Sequence, residues 1–170
     1  LKPTINFTID RQMMSSKPRT LDRIDLTILD ILQKNGRISN NTLAQHVNLS
    51  ASPCLERVKR LEQEGYIERY GAFLNASKLK CGMTAFIQVT LDRTTADIFN
   101  KFRAQVIEIK EVAECHMVVG GFDYLLKLRF ENMDAYRVLL GKIVELPGVS
   151  QTHTYVVMEH VKRHSGIPIF

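Results

Sequence analysis

The sequence predicts an α+β protein with two parts, a set of three short helices followed by a four-stranded sheet with two helices. Between residues 21 and 65, apolar residues recur at helical spacing three times. Beyond Cys81 the pattern changes to strand, helix and strand, and it then repeats. In the repeat, Val112 recurs as Val149 and His116 as His153, an offset of 37 residues.

The first two helices are predicted from capping residues as well as from periodicity. Asp22 can cap a first helix that carries Asp25 three residues further on, and Gly36 can supply a left-handed stop. Ser39 is a suitable N-cap for a second helix of about nine residues, which Asn48 can end. Both helices are therefore short and well delimited.

The third helix and the segment after it complete a recognisable order of elements. Ser50 or Ser52 can cap this helix, and Gly65 can end it. The following "YIERYGAFLN" predicts two short strands around Gly71. Three helices and then a hairpin is the order of a winged helix-turn-helix, whose last helix lies in the major groove of DNA.

The outward face of the third helix is predicted to recognise DNA. Arginine bonds guanine bidentately and lysine reaches phosphate, so the basic residues of this face have suitable chemistry. The alternative is that Glu56 with Arg60, and Lys59 with Gln63, are ordinary solvated pairs four residues apart. The hairpin and the short helix before it favour recognition. The predicted DNA-binding residues are Asn40, Asn41, Ser50, Ser52, Arg57, Lys59 and Arg60.

The second half predicts a ferredoxin-like βαββαβ domain, with both helices on one face of an antiparallel sheet. Strands are expected at 85–91, 112–119, 122–128 and 149–157, and helices at 96–110 and 134–145. Leu125 lies on the opposite face from Leu126, and the neighbouring strands are apolar on both sides. Apolar residues on a face without helices predict burial against another copy, hence at least a homodimer.

These elements divide the chain into five segments. We expect a loosely ordered extension at 1–19, a winged helix-turn-helix at 20–72 and a linker at 73–84. The ferredoxin-like effector-binding and dimerisation domain follows at 85–163, and a tail at 164–170.

Composition narrows the class of protein. The net charge of +5 favours polyanionic partners only weakly. Neither a signal peptide nor a membrane span is visible, which predicts a cytoplasmic protein without a membrane partner. Three scattered cysteines outside any CxxC pattern predict reduced thiols and no metal site. No nucleophile–base–acid constellation is visible, so we expect no enzyme and no cofactor, and His116 and His153 are expected to serve packing or an interface.

Several motifs together resemble one known family. "LDRIDLTILDILQKNGRISNNTLAQHVNLSASPCLERVKRLEQEGYI", "ECHMVVGGFDYLLK", "LPGV" and "TYVVMEHVK" are similar to the Lrp/AsnC group of bacterial and archaeal feast/famine regulators, from about Leu21 to Lys162. The resemblance implies a transcriptional regulator whose helix-turn-helix covers about Asn40 to Lys59 and binds promoter DNA. It also implies a C-terminal domain that builds dimers and then rings, often octamers, and a bacterial, nucleoid-associated setting.

The resemblance further implies an amino-acid effector bound between dimers, with leucine the first candidate and methionine the second. The implied effector-binding residues are Met117, Gly120, Gly121, Phe122, Asp123 and Met133. A glycine pair lets backbone amides turn toward a carboxylate, and Asp123 suits an α-ammonium group. The alternative is a simple turn. Close leucine-responsive relatives usually carry an acidic residue where this chain has Gly121, which leaves the identity of the effector open.

A second function remains open at the level of sequence. The chain would then be a ligand-sensing ferredoxin-like regulatory protein that acts on another protein without reading DNA directly. The basic face around Arg57 and Arg60 argues for DNA binding instead.

Overall fold

A computed structural model describes residues 20–162 and 166–169. The chain divides into two compact units between Ala72 and Phe73. The end of the chain is grouped with the first unit, and Phe73–Arg163 forms the second. The predicted extension at 1–19 lies outside the described residues.

The first unit contains the three predicted helices, which pack around a small apolar core. They are α1 (Arg23–Lys34), α2 (Asn40–His46) and α3 (Ala51–Gln63). The buried core comprises Ile28, Leu43, Ala44, Val47, Cys54 and Leu61. Leu43 on α2 and both Cys54 and Leu61 on α3 were on the faces that helical periodicity predicts to be inward.

The helix ends follow the predicted caps with one exception. Asp22 and Asp25 form a reciprocal capping box at the start of α1, and Ser39 caps α2 by accepting from the Thr42 N–H. Gly65 ends α3 with a φ of 76°. The prediction of a left-handed Gly36 was wrong, because Gly36 has no positive φ. The C-cap of α1 is Asn35, with a φ of −143°, and its N–H already donates to the Ile31 carbonyl.

The predicted hairpin after α3 is not formed, since no strand is assigned between Tyr66 and Asn75. Phe73 and Leu74 are 75% and 73% exposed, so an apolar face that would stabilise a lone two-stranded hairpin is missing here. The segment is instead held by Tyr70, whose hydroxyl donates to Glu62 Oε1 at 2.8 Å. The predicted linker contains a 3-10 helix at Ala76–Leu79.

The second unit has the predicted ferredoxin-like order of elements. Its strands and helices are β1 (Met83–Leu91), α4 (Ala96–Val106), β2 (Val112–Met117), β3 (Tyr124–Phe130), α5 (Met133–Val144) and β4 (Val149–Val156). The sheet order is β2-β3-β1-β4, and each neighbouring pair is antiparallel. Ile87, Leu126 and Leu128 lie in its core together with Phe102 of α4 and Ile143 of α5.

The opposite face of the sheet is more polar than its sequence suggested. His116, Leu125, Gln88 and His153 form one row across the four strands, so the two repeat-equivalent histidines lie at opposite edges. The next row contains an ion pair, in which Lys127 Nζ lies 2.7 Å from Glu114 Oε1. Half-buried apolar residues on this face are therefore flanked by polar and charged ones.

Residues 166–169 pair with the first unit. Ile167 donates its backbone N–H to Gln33 Oε1 at 2.9 Å, and the Gln33 amide donates back to the Ile167 carbonyl at 3.2 Å. The predicted tail at 164–170 is thus, in its described part, attached to α1. Among the described residues, no helix is long and apolar enough to cross a membrane.

Candidate DNA-binding and effector sites

One row of side chains on α3 faces solvent. Ser52, Glu56, Lys59 and Gln63 follow one another at spacings of four, three and four residues, and all are exposed. Lys59 takes part in no ion pair among the described residues, so its ammonium group is available to a phosphate. The row combines one cation, one anion and two neutral polar groups.

The turn between α2 and α3 is fixed by Asn40, a residue predicted to bind DNA. Its Nδ2 donates to the Ala51 carbonyl at 2.8 Å, which joins the start of α2 to the start of α3. Asn41, by contrast, is exposed. Ser50 is the N-cap of α3 by backbone geometry and is exposed, but its side chain makes no capping hydrogen bond. The hydroxyls of Ser50 and Ser52 lie at the N-terminal end of the helix.

Arg57 and Arg60 do not lie on the outward face where the sequence placed them. Arg57 Nη1 lies 2.7 Å from both Asp22 Oδ2 and Asp25 Oδ1, and Arg60 Nη2 lies 2.6 Å from Asp25 Oδ2. Their side chains are only 27% and 26% exposed. Both arginines therefore turn toward the start of α1, because a nearly buried carboxylate lies there. We call Asp22, Asp25, Arg57 and Arg60 the α1–α3 ion-pair cluster.

The cluster shifts the ionisation of its exposed members. The hydrogen bond from the Asp25 backbone N–H is the largest cause that lowers the pKa of Asp22 below its ordinary value, and the hydrogen bond from the Arg57 guanidinium is the second. Hydrogen bonds to Asp22 and Asp25 raise the pKa of Arg57 above its already high value. In the neighbouring core, burial raises the pKa of the Cys54 thiol. Asp22 and Arg57 are thus charged at neutral pH, and Cys54 is a protonated core thiol.

The predicted effector loop joins β2 and β3. Asp123 is anchored, because its Oδ2 accepts the Leu91 N–H at 2.7 Å and its own N–H donates to the Val89 carbonyl. A Cβ atom added at Gly120 or Gly121 would meet nothing within 4 Å, and neither glycine has a positive φ. The loop is therefore open, and one carboxylate oxygen of Asp123 has no hydrogen bond from the described protein residues.

The two methionines predicted beside this loop are accessible. Met117 is 51% and Met133 47% exposed, and Arg103 Nη2 donates to Met117 Sδ at 3.3 Å. Phe122 is half-buried. Two cavities, of about 350 and 340 Å³, are lined by described residues of the first unit and do not include the loop. Because both thioethers are about half exposed, one chain alone leaves this position open to solvent.

Sequence reasoning missed the part played by Asp25. The residue stands at the third position of α1, where an acidic residue predicts a capping box and nothing more. Its ion pairs to α3 span 32 and 35 residues of sequence, so local periodicity carried no signal for them. The only available hint was that Arg57 and Arg60 are three residues apart and so share a helix face.

A helix-turn-helix with an exposed polar row, followed by a separate ferredoxin-like domain, defines a DNA-binding regulator with a second, sensing unit. Residues 21–68 match the model of the winged helix-turn-helix DNA-binding family, and residues 84–167 match the Lrp/AsnC ligand binding domain. The chain belongs to the Lrp/AsnC family of DNA-binding transcriptional regulators.

Relatives and solved structures agree with this assignment. The leucine-responsive regulatory protein of Salmonella typhimurium is 51% identical over 161 residues, covering 92% of this chain and 98% of the relative. That of Escherichia coli K12 is 50% identical with the same coverage. A transcriptional regulator of Neisseria meningitidis, solved as a complex with L-Met, is 37% identical with a TM-score of 0.83, covering 88% of this chain and 97% of that one.

Proposed function

We propose that this regulator binds promoter DNA and that a small amino acid, leucine or methionine, changes its DNA affinity or its assembly. The observation that carries the proposal is the match of one unit to a DNA-binding family and of the other to a ligand-binding family. Relatives named as leucine-responsive and the L-Met complex of the Neisseria protein support an amino-acid effector.

On the DNA side, we assign reading to the solvent-exposed residues at the start and along the outer row of α3. Ser50 and Ser52 lie at its N-terminal end, which enters the major groove first in a helix-turn-helix, and Lys59 lies two turns further along. Asn41 is an exposed amide on α2, placed for a backbone phosphate. The ion pairs of Arg57 and Arg60 with α1 support a role other than base contact.

On the effector side, we assign the loop Gly120–Asp123 with Met117 and Met133. The unused carboxylate oxygen of Asp123 suits an α-ammonium group, the two glycines leave backbone amides accessible to a carboxylate, and exposed thioethers suit an aliphatic or thioether side chain. Because one chain leaves this site open, we propose that another subunit completes it.

That requirement supports a homodimer that assembles further, with an octamer as the expected ring. The mixed face of the sheet, with half-buried Phe86 and Leu125 at its centre, is the surface we assign to the dimer. The proposal includes no enzymatic activity and no cofactor. A regulator that binds promoter DNA is expected to work in the cytoplasm, and we propose that location for this protein.

The test is a DNA-binding titration at fixed salt concentration with each amino acid in turn, with the mass of the assembly measured in the same samples. Leucine or methionine is expected to change both affinity and mass. The variant Gly121→Val fills the open loop, and we expect it to abolish the response while retaining DNA binding. Gly141→Ala is the matched control, since a side chain there also meets nothing within 4 Å.

Two results would contradict the proposal separately. Strong DNA binding that no amino acid alters removes the effector role and leaves Gly120–Asp123 as a turn. An effector-dependent change of mass without any DNA binding favours the alternative of a ligand-sensing protein that acts on another protein.

A further inference from the structure

We infer that Asp25 is a positioning residue that sets how α3 is presented to DNA, and that Arg57 and Arg60 act through it and not by reading bases. The inference rests on the proposed role of α3 as the reading helix. It concerns the α1–α3 ion-pair cluster, which makes a fixed connection between the start of α1 and the middle of α3.

Both oxygens of the Asp25 carboxylate accept hydrogen bonds from neighbouring groups. Its side chain is 1% exposed, one oxygen accepts from Arg57 and the other accepts from Arg60. The second oxygen also accepts the Asp22 backbone N–H at 3.2 Å. A buried carboxylate is strongly disfavoured unless it is paired and hydrogen-bonded, so both arginines are required where they are.

Two attachment points on α3 fix more than its distance from α1. Arg57 and Arg60 are three residues apart on one face, so their bonds to a single carboxylate also fix the rotation of α3 about its own axis. The exposed row of Ser52, Glu56, Lys59 and Gln63 lies on another face of the same helix. Any rotation of α3 therefore moves the whole row relative to DNA.

Apolar packing alone constrains this rotation less. Cys54 and Leu61 are fully buried two turns apart, but Val58 between them is only half-buried and Leu55 is 41% exposed. Hydrophobic contacts are non-directional, whereas charge-assisted hydrogen bonds have preferred geometry. A binding site loses function when its supporting residues let the binding side chains move by about 1 Å. The cluster thus supplies orientation to a helix whose apolar contacts are few.

The orientation of Arg60 supports this role over direct base contact. Its Nη2 bonds Asp25, and its Nε is buried with no hydrogen-bond partner among the described residues. The guanidinium therefore points into the first unit. To reach a base edge, Arg60 would have to leave a nearly buried carboxylate with one fewer partner.

The test is a double-mutant cycle of Asp25→Asn and Arg60→Gln in the full-length protein. The wild type first enriches a preferred sequence from a pool of randomised duplexes. The affinities of each variant for this sequence and for random DNA are then measured at two salt concentrations. Asp30→Asn is the matched control, because it removes an exposed ion pair, with Lys34, from the same helix.

We expect each single variant to lower the ratio of specific to random affinity roughly tenfold, the size of one lost base contact. Because both variants release the same connection, the double variant is expected to be no worse than either single one. The salt dependence should stay unchanged, since no phosphate contact is lost. Asp30→Asn should behave as the wild type.

Three results would overturn the inference. In the first, the losses in affinity ratio multiply in the double variant, and Arg60→Gln reduces the slope of log affinity against log salt concentration by about one. Arg60 would then be a DNA contact. An unchanged affinity ratio in folded single variants would make the cluster purely structural. Should Asp25→Asn fail to fold, Asp25→Glu keeps the charge but displaces it, and a wild-type ratio in that variant also contradicts the inference. By contrast, a wild type that enriches no sequence overturns the proposed function itself.

Discussion

The first unit buries six apolar residues in its core, whereas the second buries fourteen, counted over the described residues. In the first unit a carboxylate with 1% exposure lies beside the core and holds two arginines. The second unit stacks Phe102 on Tyr124, with ring centroids 4.4 Å apart, inside a continuous apolar layer. Short helices thus depend more on caps and ion pairs, and the sheet depends more on apolar burial.

The largest expected effect tests the apolar side of this comparison. Leu126→Ala removes a fully buried side chain from the sheet and should cost about 3 kcal/mol in the free energy of unfolding. Denaturant unfolding, with hydrogen exchange assigned to each unit, measures the loss. Val138→Ala, 65% exposed on α5, should change little. If Leu61→Ala in the first unit costs more than Leu126→Ala, the comparison fails.

A smaller effect is expected where a polar contact holds the segment after α3. Tyr70→Phe removes the hydrogen bond to Glu62 and should cost about 0.5 kcal/mol, because the ring is partly exposed and solvent screens the contact. Burial raises the pKa of Tyr70, and the hydrogen bond to Glu62 raises it further, to about 12. The contribution is therefore complete below the ordinary tyrosine pKa and disappears as pH rises through about 12.

A spectrophotometric titration of the phenols checks this contact. The wild type should show a phenol that titrates near pH 12, and Tyr70→Phe should lose that contribution. Tyr66→Phe is the control, because Tyr66 is exposed to a similar extent and makes no such bond in the described part of the chain. A titration curve that is unchanged in Tyr70→Phe would contradict the assignment.

The smallest effect is expected on the stability of the first unit at acidic pH. The folded-state pKa of Asp22 is lowered, so its contribution is present above the unfolded value near 3.8 and is lost as pH falls through the folded value. Acid should therefore weaken the first unit, and Asp22→Asn should remove that part of the pH dependence. Glu114, whose pKa Lys127 lowers in the second unit, gives the matched variant Glu114→Gln. If the first unit loses the same stability at low pH in Asp22→Asn as in the wild type, Asp22 is not the cause of that loss.

Sequence patterns were informative where interactions are local or periodic. The N-cap at Asp22, the stop at Gly65 and the repeat that defines the sheet follow from residue type and spacing and are confirmed. The prediction of a hairpin after α3 was wrong, because alternation of apolar and polar residues predicts strands but does not supply the apolar surface against which a two-stranded hairpin must pack. The assignment of Arg57 and Arg60 to the outer face failed because their aspartate partners lie more than 30 residues away.

The pairing of Gln33 with Ile167 bears on how such a gene can be recombined. Because the end of the chain is grouped with the first unit, that unit is discontinuous in the sequence and the second unit is an insertion within it. A crossover that transplants residues 20–72 alone into another regulator leaves behind residues 166–169, which bond Gln33 of α1. Hybrid regulators built from this chain should therefore take residues 20–72 and 166–169 from the same parent.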